Sequence, residues 1–284
     1  MSSTTNETGP NTTTGVVSFV VPPEDKSVKL FAMTYPDPVT GERKKNYQRE
    51  DKQIIIENLR GKEDSVSLDT AGFQFFHAPV THKTFSNDEE IQREYYPESV
   101  ELIKKLTGAS RVEIFDHTVR RRNPEQVDAP GNRQPAPQAH VDQSAAAAVA
   151  RVHRHLPESE APELLKKRFQ IINLWRPISH PAWDWPLALC DYRSVNPEND
   201  TVPVALLFPH RKGETLGVKY SPNQKWKYLY GMTSDEIVLI KCADSIQDGS
   251  VAVFTPHTAF EDPATPKGSP FRQSIELRAL VFYD

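Results

Sequence analysis

From Arg111 onward, short runs rich in branched and aromatic residues alternate with turn signals: RVEIFDHTV, FQIINLWRPI, WPLALCDYRSV, LGVKYSP, KWKYLYGM, EIVLIKCADSI, SVAVFTPHTAF and SIELRALVFYD. Such runs read as short strands joined by polar loops, the pattern of a β-sandwich or barrel. A helical period is confined to SAAAAVARVHRHL and APELLKKRFQ in this half. Upstream, GVVSFVV and FQFFHAP read as strands. DEEIQREYYPESVELIKKLTGA reads as a helix, with Ile91, Tyr95, Val100, Leu102 and Ile103 among charges and Gly108 at its end. Pro97 is expected to restart or kink it. The expected organisation is a polar, disordered tail over residues 1–14, an N-terminal region over 15–108 and a core over 109–284, with the N-terminal region packed on the core as one structural domain. The expected fold class is mainly β with flanking helices.

Composition narrows this little. The 284 residues are 37% hydrophobic and 25% charged, with a net charge of −4, so nothing suggests a nucleic-acid or membrane partner. No apolar stretch is long enough to span a membrane, and the first residues lack the basic and apolar pattern of a secretory signal. The default compartment is cytoplasmic. Cys190 and Cys242 lie in apolar strand-like runs and read as buried free thiols. The 24 prolines favour short elements with irregular connections over a helical bundle. In YSPNQKWKYLYGM, aromatics alternate with lysines, which an inward aromatic face explains better than nucleic-acid stacking.

The chemistry begins at QAHVDQSAAAA. On an extended segment, His140 and Asp142 point to one face. An imidazole beside a carboxylate supplies two ligands of a facial triad for non-haem iron(II). A third would come from a distant histidine, and His257, after the turn QDGS and a strand, is the candidate. With nine histidines in the chain, a His-x-Asp pair also arises by chance. In SPFRQSIELRALVFYD, Arg272, Ser274, Glu276 and Arg278 share one face. A guanidinium beside a hydroxyl grips a carboxylate well. Arg272 could instead pair at the surface with Glu261 or Asp262.

The order His-x-Asp, His, Arg-x-Ser resembles that of the iron(II)/2-oxoglutarate-dependent oxygenases with a double-stranded β-helix (jelly-roll) core. More narrowly, VEIFDHTVRRR, HVDQS, FQIINLWRPI, DWPLALCDYRSV, KYSPNQKWKYLYGMTSDEIVLIKCADS, FTPHTAFEDP and RQSIELRALVF resemble the gibberellin desaturase-like and cephem-methoxylase-related hydroxylases of fungi and bacteria. The match covers residues 110 to 284. The resemblance implies that His140, Asp142 and His257 bind Fe(II). It also implies that Arg272 pairs with the distal carboxylate of 2-oxoglutarate, with Ser274 adding a hydrogen bond, and that a metal position remains for O2. The implied reaction is oxidation of an unactivated C–H bond of a small molecule, by hydroxylation, desaturation or ring formation, in secondary metabolism.

Asn173, Trp175 and Arg176 in NLWRP, with Arg278, are the expected substrate contacts, although Trp175 and Arg176 also fit structural roles. Trp183 and Trp185 fit either a pocket wall or loop packing, and residues 119–140 fit a lid. His257 lies 115 positions beyond Asp142, a wide spacing that leaves room for inserted strands between Leu187 and Gly231. Two other readings stay open: a cupin-like metal dioxygenase or isomerase without 2-oxoglutarate, and an inactive jelly-roll binding protein.

Overall fold

The computed structural model describes residues 8–129 and 131–284. The N-terminal half contributes β1 (Thr12–Val21), β2 (Leu30–Met33), β3 (Gln48–Asn58) and β4 (Phe73–His77). The remaining strands are β5 (Arg111–Arg121), β6 (His140–Val141), β7 (Phe169–Pro177), β8 (Leu187–Cys190), β9 (Thr201–Phe208), β10 (Arg211–Val218), β11 (Trp226–Tyr228), β12 (Glu236–Asp244), β13 (His257–Ala259) and β14 (Gln273–Phe282). Five form an antiparallel sheet in the order β4-β12-β7-β14-β5. Nine form a curled sheet, β1-β3-β11-β8-β13-β6-β10-β9-β2. The two make the jelly roll.

Alternation on single strands shows how the layers meet. On β8, Leu187 and Leu189 join Trp175, Val238 and Ile240 in the core between the sheets. Ala188 and Cys190 on the same strand face the opposite way, into a second core with Val141, Phe19 and Trp226. The inserted length between Asp142 and His257 includes β8 and β11 and the β9–β10 hairpin.

The outer face of the five-stranded sheet is covered by a helical run in three pieces: Asp88–Glu90, a π-helical turn Ile91–Tyr95, and α1 (Tyr96–Thr107). Asn87 caps its start by accepting from the backbone N–H groups of Glu89 and Glu90. The wide turn sits just ahead of Pro97, which has no N–H to donate back along the helix. Gly108, at φ 72°, ends it in the left-handed region. Ile91, Tyr95 and Ile103 form a stripe against Leu174, Ile275 and Leu277.

Three expectations change. Thr12, Thr13 and Thr14 belong to β1, paired with Glu57, Ile56 and Ile55, so those threonines are sheet rather than tail. β-branched residues fit such a ladder despite their polarity. Residues 1–7 of the expected tail lie outside the described residues. In APELLKKRFQ only Ala161–Leu164 is helical, a short α3, since Phe169 and Gln170 are already claimed by the ladder of β7. In SVAVFTPHTAF only His257–Ala259 is strand. The helix α2 (Ala145–His155) forms as expected, with Ser144 accepting from the Ala147 N–H.

Candidate metal centre

The strands β6 and β13 are paired neighbours, with His257 directly opposite His140. Each imidazole is oriented by its own backbone. His140 Nδ1 lies 2.8 Å from the Gln138 carbonyl and His257 Nδ1 lies 3.0 Å from the Thr255 carbonyl. A carbonyl only accepts, so each Nδ1 carries a proton and Nε2 is the ring nitrogen turned toward Asp142. The two Nε2 atoms approach Asp142 Oδ1 at 3.5 and 3.9 Å. The three ligand atoms lie within 4.8 Å of one another. Two imidazoles and a carboxylate at these separations are a donor set suited to a divalent iron with open positions.

The other carboxylate oxygen is held from the opposite sheet. Asn173 Nδ2 on β7 donates to Asp142 Oδ2 at 3.3 Å. The Cys242 thiol on β12 lies 3.6 Å from it, and Arg278 Nη1 on β14 lies 3.9 Å away. Burial alone would raise the Asp142 pKa. The His140 hydrogen bond and the Arg278 charge outweigh it and hold the carboxyl well below its usual range.

Beside the triad, Arg272 is buried at 2% exposure. Its Nη1 donates to the Trp185 carbonyl at 2.5 Å and its ring neighbour is Trp175, 5.6 Å from the guanidinium. Trp185 holds that carbonyl in place at φ 45°, a left-handed value rare for a side chain of its bulk. The Arg272 backbone N–H is fixed by Asp184, which also pairs with Arg122. Yet Arg272 Nε, Ser274 Oγ and Asn173 Oδ1 are buried with no hydrogen-bond partner. Burial, then the neighbouring Arg120, push the Arg272 guanidinium down to about 9. Glu276 offers it no private counter-charge, because both its oxygens accept from Arg120, at 3.2 and 3.0 Å. The unpaired donors Arg272 Nε and Ser274 Oγ, on a destabilised buried cation and its neighbour, fit a carboxylate-bearing ligand.

Known proteins give the site its relatives. Residues 17–282 match the family described as "YDMC: Oxidoreductase/YMDC permease-like domain". The chain is 32% identical over 271 residues to the Fe(II)/2-oxoglutarate-dependent dioxygenase nvfI of Aspergillus novofumigatus, covering 93% of this chain and 94% of that one. The chain belongs to the Fe(II)/2-oxoglutarate-dependent dioxygenases. It is also 37% identical over 260 residues to the hydroxylase/desaturase CTB9 of Cercospora beticola, covering 83% and 78% of the two chains. Among solved structures, the iron and alpha-ketoglutarate-dependent endoperoxidase NvfI superposes with a TM-score of 0.83 at 29% identity, over 96% of this chain and 98% of that one. Enzymes of this family use Fe(II), 2-oxoglutarate and O2. No helix among the described residues of this dioxygenase is long and apolar enough to cross a membrane.

The expected substrate contacts are placed differently from one another. Arg176 faces away from the triad: its Nε donates to Tyr95 Oη at 3.0 Å, and its Nη1 donates to the carbonyls of Ala78 and Ser234 at 2.8 and 2.7 Å. One position off Trp175, it must lie on the outer face, so its expected substrate role is corrected to anchoring the helical run. Arg278 is likewise engaged, with Asp116 at 2.7 Å and with Asp142, rather than lining open space. Asn173 and Trp175 do line the cleft shared by His140, His257 and Arg272. Trp183 packs on Tyr230, with ring centres 4.9 Å apart.

Three contributors were not singled out from the residues: Arg120, Asp184 and Cys242. Alternation along β5 carried a signal for Arg120, which registers opposite Ser274. The 119–140 loop meets the site through Ala136, whose carbonyl accepts from the Ala259 N–H at 2.8 Å. The alanine run also differs from a simple packing face. Ala148 is in the core, whereas Ala146, Ala147 and Ala150 line a cleft that reaches Asp142.

Proposed function

We propose that this dioxygenase oxidises an unactivated C–H bond of a small molecule in secondary metabolite biosynthesis, with His140, Asp142 and His257 holding Fe(II) and Arg272 and Ser274 holding 2-oxoglutarate. The carrying observation is that Arg272, which lines one cleft with His140 and His257, keeps a buried Nε without a partner, and that Ser274 Oγ two residues on is likewise buried and unpartnered. Fe(II), when bound, supplies O2 activation driven by oxidative decarboxylation of 2-oxoglutarate to succinate and CO2.

The chain's own residues set up that chemistry. The Gln138 and Thr255 carbonyls accept from Nδ1 and so turn both Nε2 atoms toward the metal position. Asn173 and Arg278 turn one oxygen of Asp142 outward, leaving Oδ1 facing the histidines. Arg272 and Ser274 grip the cosubstrate carboxylate, and Trp175 excludes water beneath the guanidinium. Hydroxylation is the default outcome, with desaturation or ring formation available to the same site. Relatives named hydroxylase/desaturase and endoperoxidase support this range. The reading is of a cytoplasmic enzyme acting on neither nucleic acid nor membrane.

The test is anaerobic titration of Fe(II)-loaded protein with 2-oxoglutarate. A weak visible charge-transfer band of the chelate should appear in the wild type and be lost in His257→Ala. Its absence from the wild type, with no succinate formed in air, would favour a binding protein. A band that survives Arg272→Ala at unchanged affinity would favour metal chemistry without this cosubstrate grip.

A further inference from the structure

The cleft between α2 and the β9–β10 hairpin has a volume of about 220 Å³ and is lined by Asp142 itself. Its floor is Ala146, Ala147 and Ala150, and its wall includes Leu206 and Phe208. A larger cleft of about 740 Å³ lies on the far side of Gln143, but none of the three ligands lines it. Asp142 thus places the smaller cleft beside the triad, on another side from the narrow cleft that His140 and His257 line.

Its rim is charged in one sense. Arg151, Arg154, Arg211 and Lys212 line it, against Glu214 and Asp142. Arg151 lies over the Phe115 ring at 4.9 Å and touches His155, and Arg211 lies over the Phe208 ring at 3.6 Å. Among the described residues, no carboxylate lies within ion-pair distance of these four cations. The nearby Asp116 is taken by Arg278 at 2.7 Å. Burial lowers the Arg151 guanidinium from its ordinary range; Asp116 opposes that shift, and Arg278, Arg211 and Arg154 add to it. Several cations thus line one cleft with an alanine floor, none of them in an ion pair among the described residues, and Arg154, Arg211 and Lys212 are exposed at its rim. Along α2, Ala147, Arg151 and Arg154 follow at i, i+4 and i+7 on one face. The helical rise puts the two arginines about 6 and about 10 Å beyond Ala147.

We propose that the substrate is an apolar small molecule bearing a carboxylate, its apolar body on the alanine floor beside Asp142 and its carboxylate held by Arg151, Arg154 and Arg211. This assignment rests on the C–H oxidation reading above and specifies what that site accepts. It also gives the alanines a role: at these positions a larger side chain fills the space the substrate body needs.

The experiment uses the anaerobic holoenzyme with Fe(II) and 2-oxoglutarate. Three carboxylates of rising bulk, benzoate, 1-naphthoate and 1-pyrenebutyrate, are titrated beside their methyl esters by calorimetry and by perturbation of the chelate band. At least one acid should bind about tenfold or more tightly than its ester, as expected for a hydrogen-bonded charge pair, and the preference should fall with added salt. Arg151→Ala/Arg154→Ala and Arg211→Ala should each cut that preference to about threefold or less, while Ala147→Leu weakens acid and ester alike. The proposal is overturned if no acid outbinds its ester, if the preference is unchanged in both arginine variants, or if the acids bind only by displacing 2-oxoglutarate. Salt dependence in the wild type decides the matter should a variant fold poorly. A missing chelate band before any probe is added marks failure of the underlying metal and cosubstrate reading, separately from the carboxylate grip.

Discussion

The two faces of β7 and β14 each bury an arginine, and treat it in opposite ways. On the outer face, Arg176 is 1% exposed and its donors end on two carbonyls and a phenol. On the inner face, Arg272 is 2% exposed, donates to one carbonyl through Nη1, and leaves Nε without a partner. Burial is nearly equal, so burial does not separate the structural arginine from the functional one. The inventory of partners does. A guanidinium with Nε and Nη1 both engaged holds its surroundings together, while one left with a single bond is poised for a ligand.

The sharpest break of this comparison is a matched pair of volume-conserving changes. Arg176→Met leaves the Ala78 and Ser234 carbonyls and Tyr95 Oη without their donor and should cost about 3 kcal/mol of stability. Cosubstrate affinity should stay unchanged. Arg272→Met removes a costly buried charge along with one hydrogen bond, so stability should move by less than about 1 kcal/mol. Its 2-oxoglutarate affinity should instead fall about 100-fold, equivalent to about 2.7 kcal/mol. Thermal melts and anaerobic titrations on both proteins check the crossing. Equal stability losses from both would erase the distinction.

A smaller effect contrasts adjacent residues of one strand. Asn173→Ala takes a donor from Asp142 Oδ2 and should weaken Fe(II) binding about tenfold. Leu174→Ala, packed against the helical run, should cost about 2–5 kcal/mol of stability and leave metal affinity alone. Metal titration and denaturant unfolding separate the two. A loss of metal affinity in the Leu174 variant would show that the faces are coupled.

The same strands explain what could be read from residues alone. Period-two alternation put Arg272, Ser274, Glu276 and Arg278 on one face, and the ladder to β5 and β7 agrees for the last three, with Arg272 just ahead of β14. His140 and Asp142 were legible for the same reason. Arg176 was not, because every residue of β7 is buried. A strand covered on both sides gives no polarity signal for which face is inward. The cover on its outer face comes from a helix some 80 positions earlier, joined by the Tyr95–Arg176 bond. The Asp184–Trp185 clamp on Arg272 depends on a left-handed tryptophan, which no local propensity favours. The alanine run announced a helix, but its cleft exists only because the β9–β10 hairpin stands opposite.

The smallest effect concerns pH, and it too divides the faces. Arg176 is held by groups that stay neutral through the acid range, since burial raises the Tyr95 phenol further. On the inner face, burial would raise the Glu276 carboxyl, but Arg120 and Arg278 outweigh it and keep its pKa below the ordinary carboxylate value. A folded pKa below the unfolded one means that the charged form favours folding. Its contribution is fully present above the unfolded value, about 4.3, and is lost as pH falls through the folded one. The stability penalty of Glu276→Gln should therefore be larger at pH 7 than below pH 4, by an amount on the order of 1 kcal/mol. The penalty of Arg176→Met should be the same at both. Unfolding curves of the two variants and the wild type across this range measure the difference directly. A Glu276→Gln penalty that does not shrink in acid would assign the inner pair to geometry rather than to charge.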